Sequence, residues 1–175
     1  MCAALAKILN LSEIAHVTEV ARTVLRERGY TRADVHLLQM QEDIMLAQLQ
    51  REQCARQGTP DLILCDRSAV DPIIYAIMTS KDKQDAQERR NKLIQMDEFQ
   101  KILPLYRQSL FILLEPVEEW IVDDGVRLLE NQRECLETFQ VTLQDLGIEY
   151  RLMGSKLKPI SDRVGVVMKW AGVQV

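Results

Sequence analysis

The four apolar residues Leu62-Ile-Leu-Cys65, bounded by Asp61 and Asp66, constrain the fold more than any other stretch of this 175-residue sequence. They show no apolar–polar alternation, and a strand of that kind is covered on both faces, as in a parallel sheet. Leu110-Phe-Ile-Leu-Leu114 repeats the pattern and ends at Glu115-Pro116. Ile14 to Thr18, rich in β-branched residues, and Glu149-Tyr-Arg-Leu-Met153 supply two more strand-like runs.

Between these runs the apolar period is helical. Cys2 to Leu9 has helical composition, and Val20 to Arg28 ends at Gly29, the residue type favoured just past a helix. His36 to Arg56 carries Leu37, Leu38, Ile44, Met45 and Leu49 roughly on one stripe and is broken by Gly58-Thr-Pro60. Asp71-Pro72 reads as an N-cap followed by Pro at N1, opening a helix over Ile73 to Met78. Lys81 to Asn91 is polar enough for a solvated helix or loop, and Leu93 to Leu103 is helical up to Pro104. Asp123 to Leu146 forms a further long helix closed by Gly147, with Leu129, Leu136, Phe139 and Leu143 on one face. A last helix runs from Ile160 to Ala171, with Val164 and Val167 at helical spacing. Strands alternating with helices predict an α/β domain spanning 1–175, a parallel sheet layered between helices by right-handed crossovers.

Composition narrows the function. With 47% hydrophobic and 27% charged residues the chain has material for a sizeable core, which excludes disorder. A net charge of −4, with both signs interleaved, does not indicate a nucleic-acid face. No stretch approaches the ~18 uninterrupted apolar residues of a membrane span. The apolar N-terminus is short and interrupted by Lys7, unlike a signal peptide, which predicts a cytoplasmic setting. Cys2, Cys54, Cys65 and Cys135 form no CxxC pair and read as reduced, mostly buried thiols rather than a zinc or disulfide framework. His16 and His36 lack metal-ligand spacing; Met40, Met45 and Met78 read as packing, and Trp120 and Trp170 as hinge or core anchors.

In open parallel sheets, ligands bind beyond the carboxyl ends of the strands. Asp66 stands at that end of its strand, followed by Arg67 and Ser68. An acid there is placed to hold Mg2+, directly or through a water, and equally to cap the next helix or pair with Arg67. The segment Asp66-Arg67-Ser68-x-x-Asp71-x-x-x-Tyr75 resembles the D-R-[GS]-x-x-D-x-x-x-Y motif of a kinase-like AAA family of P-loop proteins. That family includes the ribosylnicotinamide-kinase domain of the bacterial NAD-synthesis regulator and is related to thymidylate kinases. Val17-Thr-Glu19-Val-Ala-Arg22 is similar to its second-strand motif. Asp124-Gly125-Val126-Arg127 with Arg133 is similar to its lid helix, at about 117–147, and Gly154-Ser155 to the loop beside the nucleotide base.

The resemblance implies a P-loop NTPase-like three-layer sandwich that uses ATP or GTP with Mg2+ to phosphorylate a small-molecule acceptor. It makes Asp66 the Mg2+-associated acid and has Asp71 orient or deprotonate the acceptor hydroxyl. Glu19, Arg22, Arg67 and Tyr75 then line the acceptor side, Arg127 and Arg133 neutralise phosphate charge from the lid, and Gly154 and Ser155 adjoin the base. The residue types alone also fit a Glu19–Arg22 ion pair, an N-cap at Asp71 and a solvated helix face for both lid arginines.

One motif is absent. No Gly-x-x-x-x-Gly-Lys-[Ser/Thr] stretch, whose backbone N–H groups and Lys cradle phosphates, occurs in the 175 residues. Gly154-Ser-Lys156 lacks the first Gly and lies in the last strand-to-helix connection. Cys2 to Leu11 instead resembles the helix that follows this loop, so the resemblance implies a start inside that helix, without the first strand. A gene-model artefact, an alternative start or a degenerate copy would each give that result. Loss of a central strand leaves two sheet edges unpaired, which implies a poorly soluble chain or a protein partner. The alternative to a kinase is a catalytically inactive relative serving as a protein or lipid interaction module.

Overall fold

Apolar runs become strands and helical-period segments become helices in the computed structural model, which describes residues 1–58, 62–120 and 131–173. In chain order the elements are α1 (Cys2–Ile8), β1 (His16–Val17), α2 (Ala21–Arg28), α3 (Leu38–Gln57), β2 (Leu64–Cys65), α4 (Asp71–Met78) and α5 (Lys83–Ile94). Then follow α6 (Asp97–Tyr106), β3 (Phe111–Leu114), α7 (Gln132–Asp145), β4 (Tyr150–Met153) and α8 (Ile160–Trp170), with single 3-10 segments at Arg32–His36 and Glu118–Trp120. The chain divides into two compact units, one made of Cys2 and Ala6–Ile102, the other of Met1, Ala3–Leu5 and Leu103–Val175.

In the first unit β1 and β2 pair in parallel, His16 opposite Leu64 and Val17 opposite Cys65. The nearly all-apolar α4 supplies the centre of the core through Ile73, Ile74 and Ala76, all fully buried with Met45, Leu93 and Phe99. In the second unit β3 and β4 pair in parallel from Phe111–Tyr150 to Leu114–Met153. Leu143, Ile148, Met153, Val164, Val167 and Met168 are buried there. Gly147 closes α7 with φ +67, a left-handed conformation that costs glycine little.

Several sequence expectations need correction. The four strands form two separate two-stranded sheets among the described residues, rather than one. Burial of Leu62–Cys65 on both faces fails for the same reason: with one neighbouring strand, Leu62 stays 38% exposed and Leu64 and Cys65 are half-buried. In α3 the buried stripe is Met40, Gln41, Met45, Gln48, Leu49, Glu52 and Ala55, rotated from the predicted face so that Leu37 is exposed. The polar stretch from Lys81 is a true helix, N-capped by Asp82, whose carboxylate accepts from Gln84 and Asp85 N–H at 2.9 Å. Its Arg89 and Leu93 are buried.

Pro104 does not stop α6, which runs on to Tyr106. Near a helix C-terminus a proline removes a single bond, a loss the last turn tolerates. Asn131 has φ +59 and α7 begins at Gln132; residues 121–130, with Leu129 and the Asp124 to Arg127 part of the expected lid, lie outside the described residues. The cysteines are free as expected, yet Cys54 is exposed and the other three only half-buried. No described helix is long and apolar enough to cross a membrane.

Candidate functional site

The first unit assembles the segment that follows β2. The Asp66 N–H donates to the Val17 carbonyl at 2.9 Å, extending the β1–β2 ladder by one bond and fixing the backbone beneath the Asp66 carboxylate. The chain then turns sharply into α4. Asp71 closes that turn: its Oδ2 accepts from the Ser68 N–H at 3.0 Å and from the Ser68 hydroxyl at 3.1 Å. The Ser68 Oγ in turn accepts from the Val70 N–H at 3.2 Å. The acid thus reaches back to a serine three residues earlier and closes the turn that leads into α4. Asp71 is accordingly the first residue of α4 and not its N-cap, which corrects the sequence expectation; Val70 occupies the cap position without a side-chain bond.

The other oxygen of Asp71 accepts from Arg67 Nη1 at 3.0 Å in a pair whose side chains are 31% and 17% exposed. The Arg67 guanidinium is held more firmly protonated than usual, first by the Asp71 carboxylate and against the opposing effect of burial, with Tyr75 and Glu19 adding to it. Glu19 also lies 3.9 Å from Arg22 one helical turn along. Asp71 thus contacts the Arg67 guanidinium directly, Glu19 and Tyr75 act on it through their charge, and Arg22 lies beside Glu19. The simple ion-pair reading of Glu19 and Arg22 is present in the same geometry.

A cysteine in α1 joins this site without any signal in the sequence. The Cys2 thiol is pushed up to about 12, first by burial and then by the charge of Asp66 and a hydrogen bond to it. Cys65 is likewise pushed up to about 12, by burial and then by Glu52. Both thiols stay protonated at neutral pH, so neither is poised as a nucleophile. Among the described residues no three His, Cys, Asp or Glu side chains are grouped to hold a metal ion. A Mg2+ at Asp66 would accordingly take its other oxygen ligands from water and from phosphate, the usual composition of such sites.

In the second unit, Glu115 follows β3 as Asp66 follows β2. Its Oε2 accepts from the Ser155 N–H at 2.8 Å, tying the end of β3 to the loop after β4. That bond, a second one from the Ser155 hydroxyl and the charge of Lys156 hold the Glu115 carboxyl below the usual carboxylate range. Sequence reasoning singled out Gly154 and Ser155 and passed over Glu115, although an acid directly after an apolar run was the same signal used for Asp66. Arg133 is exposed in the first turn of α7, and Arg127 lies outside the described residues. Trp120 and Trp170 receive the guanidiniums of Arg163 and Arg151 at 4.6 and 5.7 Å from their ring centroids, which makes them cation–π anchors.

A family model described as an AAA domain matches residues 2–156, most of the chain and all of the first-unit site. No curated protein and no solved structure matches it.

Proposed function

The chain belongs to the AAA domain family, and from that premise we propose that it is a nucleotide-binding domain akin to small-molecule kinases, using ATP or GTP with Mg2+ in the cytoplasm. The observation that carries this reading is Asp66, an acid at the carboxyl end of a parallel strand, backed by the Arg67–Asp71 pair. In the three-layer P-loop sandwich that this reading assumes, Asp66 serves the Mg2+ side. Arg67, with Glu19, Arg22 and Tyr75, faces the acceptor, Arg127 and Arg133 belong to the lid, and Gly154 and Ser155 adjoin the base. Phosphoryl transfer asks a protein mainly for positioning and charge neutralisation, which these residue types supply.

Asp71 has its oxygens engaged by Arg67 and Ser68. Its part in this scheme is to hold the turn, and deprotonating an acceptor hydroxyl would require the Ser68 bonds to open first. A second reading, an inactive interaction module, is favoured by one fact alone: the 175 residues contain no phosphate-cradling glycine loop.

Titration of the chain with Mg-ATP separates the readings. A preorganised donor to an oxyanion is worth ~3–4 kcal/mol in acyl-transfer enzymes, and losing several such donors to phosphate with the loop leads us to expect a Kd of about 1 mM or weaker, dependent on Mg2+. No heat at all with 10-fold higher nucleotide supports the interaction module. A micromolar Kd contradicts the interaction module and the millimolar expectation, because it demands a phosphate cradle elsewhere.

A further inference from the structure

The buried face of α3 carries an unusual load. Gln48 is 1% and Glu52 2% exposed, one turn apart on the side of the helix that enters the core. A buried carboxylate costs stability unless charged or hydrogen-bonding partners compensate. Glu52 finds them along its own helix: Oε1 accepts from Gln48 Nε2 at 3.0 Å, and Oε2 lies 3.5 Å from Arg56 Nη1.

The Gln48 amide then spends its second N–H outside the helix, donating to the backbone carbonyl of Arg67 at 3.0 Å. Its orientation is set by chemistry: both neighbours are acceptors, so the nitrogen and not the oxygen must face them. The Gln48 Oε1 is left buried without a hydrogen-bond partner. A helix needed only for packing would place an apolar side chain here, since replacing buried polar networks by well-packed apolar ones is often neutral or stabilising.

The gain from this network lies at Arg67. Its guanidinium is held by Asp71 and its carbonyl by Gln48. Asp66, the preceding residue, has its N–H fixed on the Val17 carbonyl. The acid therefore sits between two backbone anchors, one from β1 and one from α3.

We propose that Gln48 and Glu52 are positioning residues, a buried relay from Arg56 to the Arg67 carbonyl that sets the backbone carrying Asp66 and Arg67. The relay acts through the backbone and touches no ligand. Its functional meaning rests on the reading of Asp66 as the Mg2+ side of the site.

Amide hydrogen exchange on the full chain tests it. Gln48→Leu, or Gln48→Met where the leucine packs poorly, removes both donors and keeps the volume. Leu49→Ala, a neighbouring buried packing change, serves as the control of general destabilisation. The relay predicts that in the Gln48 variants protection of the Asp66 and Ser68 amides falls at least tenfold more than that of Ile74 and Leu93. In Leu49→Ala all four should fall together. Glu52→Gln, which keeps an acceptor for Gln48, should preserve most of the Asp66 and Ser68 protection. An even loss across all four amides in the Gln48 variants overturns the proposal. Mn2+-ATP added to the native chain gives a separate readout: absence of line broadening at Asp66 would defeat the nucleotide reading, while the exchange pattern still decides the relay.

Discussion

Asp71→Ala is expected to lower the unfolding free energy by roughly 2–4 kcal/mol and to loosen residues 66–70 well beyond that global loss. Three hydrogen bonds end on this carboxylate, from Arg67 Nη1, the Ser68 N–H and the Ser68 hydroxyl. Bonds to charged groups contribute ~1.5–3 kcal/mol each. The Arg67 pair is discounted because nearly a third of that side chain meets solvent, where ion pairs count for little. Truncation also opens the turn that leads into α4, leaving the part-buried Ser68 N–H without its acceptor. Asp71→Asn keeps the shape and one acceptor oxygen, so it should lose about half as much. Chemical denaturation of the two variants measures both values. A loss below about 1 kcal/mol for the alanine variant would mean that the turn is held by the buried Ala69 and Val70 and not by its polar closure.

A change far from the site should do comparable harm. Arg89 projects from the polar helix α5, yet only 8% of it is exposed. Its Nη1 donates to the Ala76 carbonyl at 3.0 Å and approaches the Thr79 hydroxyl at 3.3 Å. Its Nη2 donates to the His36 carbonyl. The guanidinium thus satisfies a carbonyl in the last turn of α4, where a cation is also favoured by the helix dipole, and ties that turn to the segment before α3. Arg89→Ala strands the buried Ala76 carbonyl, at a cost of ~1–3 kcal/mol, and two part-buried acceptors at less, so a loss of about 3 kcal/mol is expected in thermal or urea unfolding. Arg89→Lys retains the charge without the fork geometry and should recover less than half of it. A silent alanine variant would show that α5 packs on α4 through Leu93 alone.

The contrast between these two sites shows what the sequence could reveal. The Asp66–Asp71 segment stood out in the sequence as a motif, but the pairing inside it did not: Arg67 pairs with Asp71 and not with Asp66, through bonds between residues three or four apart. The N-cap expected at Asp71 falls to Val70, and Asp71 instead closes the preceding turn with Ser68. Arg89, Gln48 and Glu52 were not legible. A charged or amide residue on a helix reads as solvent-facing by default; Arg89 and Gln48 are held inward by partners 13, 19 and 53 residues away, and Glu52 lies on the same buried face as Gln48.

Strand identity followed from local composition at all four places. Coverage of Leu62–Cys65 did not, because it depends on which elements lie beside a strand. Apolar periodicity ran through Asn131, whose left-handed conformation instead precedes the first residue of α7.

The central claim is that Asp66 is the metal and phosphate side of a nucleotide site. Paramagnetic broadening of backbone amide signals by Mn2+-ATP, in the native chain and in Asp66→Asn, tests it most directly. The account predicts that Asp66, Arg67 and Ser68 broaden first at millimolar nucleotide, and that Asp66→Asn abolishes this while leaving the fold intact. Broadening confined to exposed acidic positions such as Glu88 on α5 and Glu98 on α6, unchanged by Asp66→Asn, would contradict it.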